Sequence, residues 1–145
     1  MISKRISKLL ELKEFTKDIF EVELKKTQDS LQAEKIKLKY IEKVIEETKI
    51  NYYKSQQDGS INIQELEFYY NYLLHMNRQA EKQKNIISKK IIDVQRKKDK
   101  LIEANKEKQM VETIHDRLLK KEEKEADKRE QKEMDLNFLY NKKRK

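Results

Sequence analysis

Apolar residues recur along the first part of the chain at alternating intervals of three and four residues. This spacing puts one stripe on one side of an α-helix, and its average of about 3.5 residues favours a left-handed coiled coil. We therefore predict a helix over residues 4–55, interrupted in its seam by a few polar residues. The predicted seam positions are Leu10, Lys13, Lys17, Phe20, Leu24, Thr27, Leu31, Glu34, Leu38, Ile41, Ile45, Thr48 and Tyr52.

A second stripe of the same kind begins after Asn62. Asn62 is suited to cap a helix, because its side chain can accept a hydrogen bond from a free backbone N–H. Glu65, three residues later, completes a capping-box pattern. We predict a second helix over residues 63–140. Its predicted seam positions are Leu66, Tyr70, Leu73, Asn77, Ala80, Lys84, Ile87, Ile91, Val94, Lys98 and Leu101.

Gly59 lies between the two stripes, in the predicted turn 56–62, and it is the single glycine of a chain without proline. Glycine readily adopts the left-handed conformation that ends a helix. Neither helix can bury its stripe alone, so a turn at Gly59 predicts an all-α fold: a long, antiparallel, two-helix coiled-coil hairpin that forms a single domain over residues 1–145. In this register Glu34 faces Lys84. Such a seam pair contributes more to register than to stability.

The second helix is the longer one, and we expect it to extend past its partner beyond about residue 115. Opposite charges three and four residues apart in this overhang favour a solvated single helix. The overhang also holds an apolar cluster, which either frays or becomes ordered on a partner. The cluster consists of Met134, Leu136, Phe138, Leu139 and Tyr140.

Composition narrows the class of protein further. Charged residues make up 43% of the chain and apolar residues 36%, which is enough for a seam between helices but not for a three-dimensional core. The chain has no cysteine, so it has no disulfide and no thiolate metal site. It shows neither a membrane-spanning run nor the apolar stretch of a signal peptide. We expect a soluble protein of a reducing compartment.

Catalysis finds little support in the sequence. His75 and His115 are far apart, and Glu112-x-x-His115 resembles only half of a carboxylate-bridged di-metal motif, which needs a second such pair and two further glutamates. A two-helix hairpin also offers no cleft that excludes water. We therefore expect no catalytic, metal or cofactor site, and interpret the chain as a non-enzyme.

Residues 82–108 contain ten Lys or Arg against four Asp or Glu. Such a stretch could contact phosphates, with a steep dependence on salt. No aromatic residues interleave with it, so a solvated face or an acidic protein partner is the favoured interpretation. Nucleic-acid binding stays open as the alternative.

A second surface feature is a set of apolar residues away from the predicted seam: Tyr69, Tyr72 and Met76 lie about 100° around the second helix from it. A stripe that two helices cannot bury indicates a binding surface. A wider core and a self-associating structural coiled coil are the alternatives.

Five short strings, spread over nearly the whole chain, carry a family resemblance. They are residues 9–15; residues 32–34 with Leu38 and Ile41; Tyr69-x-x-Tyr72-Leu73-x-x-Met76 with Gln83; Glu112-x-x-His115-Asp116-Arg117; and residues 130–135. With these strings the chain resembles the FliJ family of flagellar type III export proteins and its injectisome counterparts. It differs at Val44 and Thr48, where the family often carries tyrosines.

The resemblance implies a component of the protein-export machine of the bacterial flagellum. Proteins of this family look like the central stalk of rotary ATPases, insert into the export ATPase ring, promote its assembly and activity, and contact the membrane protein of the export gate. They also escort export chaperones. The resemblance thus implies a monomeric cytoplasmic protein located at the cytoplasmic face of the inner membrane.

The resemblance also implies where the partners bind. Tyr72, Met76 and Gln83 match the gate-binding stripe of the second helix, beside Tyr69, and Ile41 and Val44 match its extension on the first helix. By analogy with a rotary stalk, the end where the N-terminus meets the long second helix would enter the ATPase ring.

Overall fold

The computed structural model describes residues 2–57, 59 and 62–144. Two helices, α1 (Ile2–Gln57) and α2 (Ile63–Arg144), account for nearly all of them. The helices pack against each other, so the predicted all-α helical hairpin is confirmed. Neither helix, over the residues described, has an apolar stretch that would cross a membrane.

The turn contains both predicted signals. Gly59 has a φ of 81°, the left-handed conformation that a residue with a Cβ adopts only with strain. Asn62 caps α2: its Oδ1 accepts a hydrogen bond from the backbone N–H of Gln64 at 3.0 Å. Its carbonyl accepts one from the N–H of Leu66, also at 3.0 Å. Residues 58, 60 and 61 of the predicted turn lie outside the described residues.

Contacts divide the chain into two compact units, one formed by residues 21–100 and the other by residues 1–20 with 101–145. In the first unit the best-buried apolar side chains lie on both helices. Burying one such side chain stabilises the fold by about 1.5–3 kcal/mol for the larger residues. These side chains are Ile45, Ala80, Ile87 and Val94.

The seam of α1 is confirmed at every predicted position, because each of those residues is at least partly buried. Among the residues that the structure describes, none has its side chain completely shielded from solvent. Two helices cover each other along one line only, so a seam rather than a closed core results.

The seam of α2 differs from the prediction at every second position. Starting from Leu66, α2 takes a three-residue step first, whereas the prediction took a four-residue step, so these positions lie one residue earlier than predicted. Tyr70, Asn77, Lys84 and Ile91 are consequently exposed. The observed seam follows Leu66, Tyr69, Leu73, Met76, Ala80, Gln83, Ile87, Lys90, Val94 and Lys97.

The predicted pairing of Glu34 with Lys84 is wrong for the same reason. Gln83, one residue earlier, lies in the seam and its Nε2 donates hydrogen bonds to the backbone carbonyl of Glu34, at 2.9 Å, and to its carboxylate. Lys84 points away and pairs with Glu81 on its own helix at 3.5 Å. The antiparallel register about Gly59 therefore holds to within one residue at this layer.

In the unit formed by residues 1–20 and 101–145, Ala104 and Ser3 are buried. The Ser3 hydroxyl donates a hydrogen bond to the Glu122 carboxylate at 2.7 Å, and Lys13 pairs with Glu107 at 2.8 Å. All described side chains of residues 123–143 are exposed. The overhang therefore begins after residue 122 rather than about 115, because α1 starts at Ile2 and reaches Glu122, and the overhang is helical.

Candidate functional site

Five aromatic side chains near the turn form a continuous series of ring contacts. Tyr52 meets Tyr53 edge-on, with ring centroids 6.2 Å apart, and meets Tyr69 on the opposite helix at 5.6 Å. Tyr69 meets Phe68 at 6.0 Å, and Phe68 stacks on Tyr72 at 6.3 Å. We call these five residues the aromatic row. Each pair contributes about 0.5–1.5 kcal/mol beyond its buried area, so the row fastens α1 to α2.

The aromatic row is anchored at some rings and open at others. Tyr52, Tyr69 and Tyr72 are partly buried, whereas Tyr53 and Phe68 are 67% and 65% exposed. Rigid, amphipathic aromatic rings carry much of the energy in protein interfaces, and here the buried rings hold the exposed ones in place. The arrangement suits binding to another protein.

An open groove adjoins the aromatic row. Tyr52, Leu66, Tyr69, Tyr70 and Leu73 line it, and its volume is about 170 Å³. Pockets for drug-sized ligands measure roughly 300–1,000 Å³, so this groove accommodates a protein side chain rather than a small-molecule ligand. Tyr70 is 63% exposed at its rim.

The six residues predicted to bind the export gate do not form an exposed stripe, so that part of the prediction is wrong. Gln83 is buried, at 7% exposure, and is held by Glu34. The prediction placed the seam at Tyr70, which turned its neighbours outward; with Tyr69 in the seam they turn inward. Their role in partner binding stays a prediction. The other five are partly buried: Ile41, Val44, Tyr69, Tyr72 and Met76.

Tyr70 is the surface aromatic residue that the sequence interpretation misplaced, since it was assigned to the seam and lies outside it. Tyr53 and Phe68 join it as exposed members of this surface, which lies on both helices beside the turn. The exposed surface therefore consists of different residues from those predicted, in the same part of the hairpin.

Glu34 carries the one electrostatic perturbation that is resolved among the described residues. The hydrogen bond from Gln83 is the largest cause that lowers the pKa of Glu34, and Lys37 and Lys90 lower it further, against the opposing effect of burial. The charged carboxylate is thereby favoured inside the seam, where it accepts the Gln83 amide.

A basic face lies further along α2. Residues 82–100 contain eight Lys or Arg and two Asp. Lys97 pairs with Glu23 of α1 at 3.5 Å, but this partly exposed pair neutralises little of the charge. The face can attract acidic groups and has no aromatic residues for stacking on bases. A shallow concavity on it is lined by Ile86, Lys89, Lys90, Asp93 and Arg96.

The histidines do not assemble a catalytic or metal site. Nδ1 of His115 lies 3.6 Å from its neighbour Asp116, and Glu112 pairs with Lys108 at 3.6 Å. His75 is exposed. No three His, Cys, Asp or Glu side chains in the described part of the chain converge to hold a metal ion.

Comparison with known proteins gives one match. The family model described as flagellar FliJ protein matches residues 3–144. Neither a curated protein nor a solved structure matches significantly. The family match includes both helices, the turn and the aromatic row. The chain therefore belongs to the flagellar FliJ protein family.

Proposed function

We propose that the chain links the flagellar export ATPase to the export gate, as a stalk-like helical hairpin with a binding surface at each end. As a member of the flagellar FliJ family, it is a component of the flagellar export apparatus and not an enzyme. The observation that carries the proposal is the aromatic row, whose exposed rings lie on a rigid support. Binding of the gate would hold the protein at the cytoplasmic face of the inner membrane.

The gate surface is the exposed part of the aromatic row together with the adjoining groove. Tyr53, Phe68 and Tyr70 are each more than 60% exposed and are of the residue type that dominates interface energies. Tyr72 and Met76, which the family resemblance singles out, are partly buried beside them and would contribute their outer edges. Gln83 acts within the seam, because its amide is committed to Glu34.

The ATPase surface is the helical overhang after residue 122. Its apolar side chains, among them Leu136 and Phe138 at 66% and 67% exposure, have no cover from α1. A ring that binds this segment more tightly in its assembled state is stabilised in that state, by the difference between the two affinities. We extend the proposal to export chaperones, as escorted partners of the same protein.

The gate surface is tested by titration of the full chain with the purified cytoplasmic domain of the export gate. We expect Tyr53→Ala with Phe68→Ala to weaken binding at least about tenfold, as removal of interface aromatics does. The matched control is Tyr40→Ala, which removes an aromatic side chain of α1 that is 68% exposed outside the row.

Circular dichroism separates binding from folding in these variants. Because Tyr53 and Phe68 are mostly exposed, helix content should stay that of the parent. Equal affinity of the double variant and the Tyr40→Ala control would refute the assignment of the gate surface to the aromatic row.

A further inference from the structure

We propose that the outer side of α1 near its N-terminus docks an amphipathic helix with basic edges, a contact separate from the gate and ATPase surfaces proposed above. Leu12, Phe15 and Ile19 form an exposed apolar stripe there, at 62%, 63% and 42% exposure. Leu9, at 39%, lies between this stripe and the seam. We call Leu12, Phe15 and Ile19 the α1 stripe.

The position of the α1 stripe shows that packing against α2 does not require it. The seam residues of the same turns, such as Leu10, Lys13 and Lys17, are partly buried and lie about 150° around the helix from the stripe. An apolar set on the side turned away from the partner helix is typical of a surface that another molecule covers.

The spacing of the α1 stripe indicates what covers it. Leu12, Phe15 and Ile19 are separated by three and then four residues, the interval at which a helix presents side chains to a second helix in a coiled coil. A three-helix arrangement would result, with α1 in the middle. The occupant is therefore a helix that carries its own apolar stripe.

The charge beside the stripe gives the chemistry of the occupant. Glu11 and Asp18 lie along one edge, both exposed, and neither has an ion-pair partner among the described residues. This acidic edge belongs to a chain whose net charge is +8. Residues that flank a coiled-coil seam choose partners by opposite charge, so Lys or Arg on the occupant would complete the contact. Lys8 marks the N-terminal limit of the stripe.

Two other occupants fit less well. In an antiparallel pair of copies, the acidic edge of one α1 would face the acidic edge of the other, and like charges at these positions disfavour pairing. A lipid surface attracts amphipathic helices through Lys and Arg beside the apolar face, whereas Glu11 and Asp18 would be repelled by anionic lipids.

The test uses the full-length protein and two synthetic helical peptides of about three heptads, both with leucine in the seam. One peptide carries lysine and the other glutamate at the flanking positions. Binding is measured by fluorescence anisotropy of labelled peptide. We expect the lysine peptide to bind at least about tenfold more tightly, although the protein itself is basic.

Variants then locate the contact. We expect Leu12→Gln with Phe15→Gln to lower affinity for the lysine peptide at least about tenfold. Glu11→Lys with Asp18→Lys should reverse the preference in favour of the glutamate peptide. The matched control, Ile36→Gln with Tyr40→Gln, alters apolar residues of α1 that are 58% and 68% exposed elsewhere, and should bind as the parent does.

Three results would overturn the inference. The first is equal binding of both peptides, and the second is a Leu12→Gln, Phe15→Gln variant that binds as tightly as the control. The third is a parent protein that sediments as a dimer and becomes monomeric in that variant, since a second copy would then occupy the stripe. None of these results depends on the gate or the ATPase, so they leave the proposed function untouched.

Discussion

Tyr69 and Tyr70 are neighbours that distinguish the observed seam from the alternative with a four-residue first step. Tyr69 is partly buried and its ring meets Tyr52 across the hairpin at 5.6 Å, whereas Tyr70 is 63% exposed. Replacing a fully buried aromatic residue by alanine costs about 3–5 kcal/mol. For a partly buried ring we expect about 2 kcal/mol, including the lost ring pair. Tyr70→Ala should cost about 0.5 kcal/mol or less.

Because both variants make the same change at adjacent helical positions, the gain in helix propensity from alanine is the same in each. The difference of about 1.5 kcal/mol then reports burial alone. It is measured by urea denaturation followed by circular dichroism at 222 nm. If Tyr70→Ala destabilises the protein as much as Tyr69→Ala, or more, the seam passes through Tyr70 and the observed order is refuted.

Three further predictions concern the helices. Ile87→Ala should cost about 2–3 kcal/mol in thermal or urea unfolding and Ile86→Ala less than about 1 kcal/mol, since they are 9% and 42% exposed; equal costs would contradict the burial. A chain that stops at Glu122 should keep the unfolding midpoint of the parent in thermal denaturation, because the side chains described beyond it are exposed, and a large drop would show that the overhang packs on the hairpin. The hydrogen bond from Gln83 lowers the pKa of Glu34 below its ordinary value of 4.5, so its stabilisation is present above that pH and is lost as the pH falls through the lowered pKa. Gln83→Ala should therefore shift the urea midpoint more at pH 7 than at about pH 3, and equal shifts would refute this role.

Much of the fold could be predicted because local signals agree with one another. The heptad spacing of α1 is long and regular, and every predicted position is covered. Gly59 and Asn62 each have a local physical role, the left-handed turn and the helix cap, that needs no knowledge of the rest of the chain. The supercoil hand stays a prediction.

The order of steps in α2 could not be read from residues 66–101 alone, because both orders give apolar and polar positions there. Tyr70 and Ile91 favoured the predicted order as apolar residues. Past residue 101 the sequence distinguishes them, since the observed order continues through Ala104 and Val111, whereas the predicted order meets Asn105 and Glu112 at the same turns. Extending the pattern would have given the observed seam.

The binding surface depended on that choice. A change of one residue in the seam rotates a residue by about 100° around the helix, which turns Tyr70 outward and Gln83 inward. The hydrogen bond between Gln83 and Glu34 depends on the pairing of two helices, and no local pattern in either helix specifies it. The family could be recognised from sequence because its strings do not depend on the seam order.

The central claim, that the chain is the stalk-like partner of the export ATPase, is tested most directly with the purified ATPase of the same export system. Turnover and hexamer formation are measured with and without the full-length chain. We predict that the parent chain increases both and that Leu136→Ala with Phe138→Ala, in the exposed overhang, loses the effect while Tyr53→Ala with Phe68→Ala retains it. No change in turnover or hexamer formation on adding the parent chain would contradict the claim.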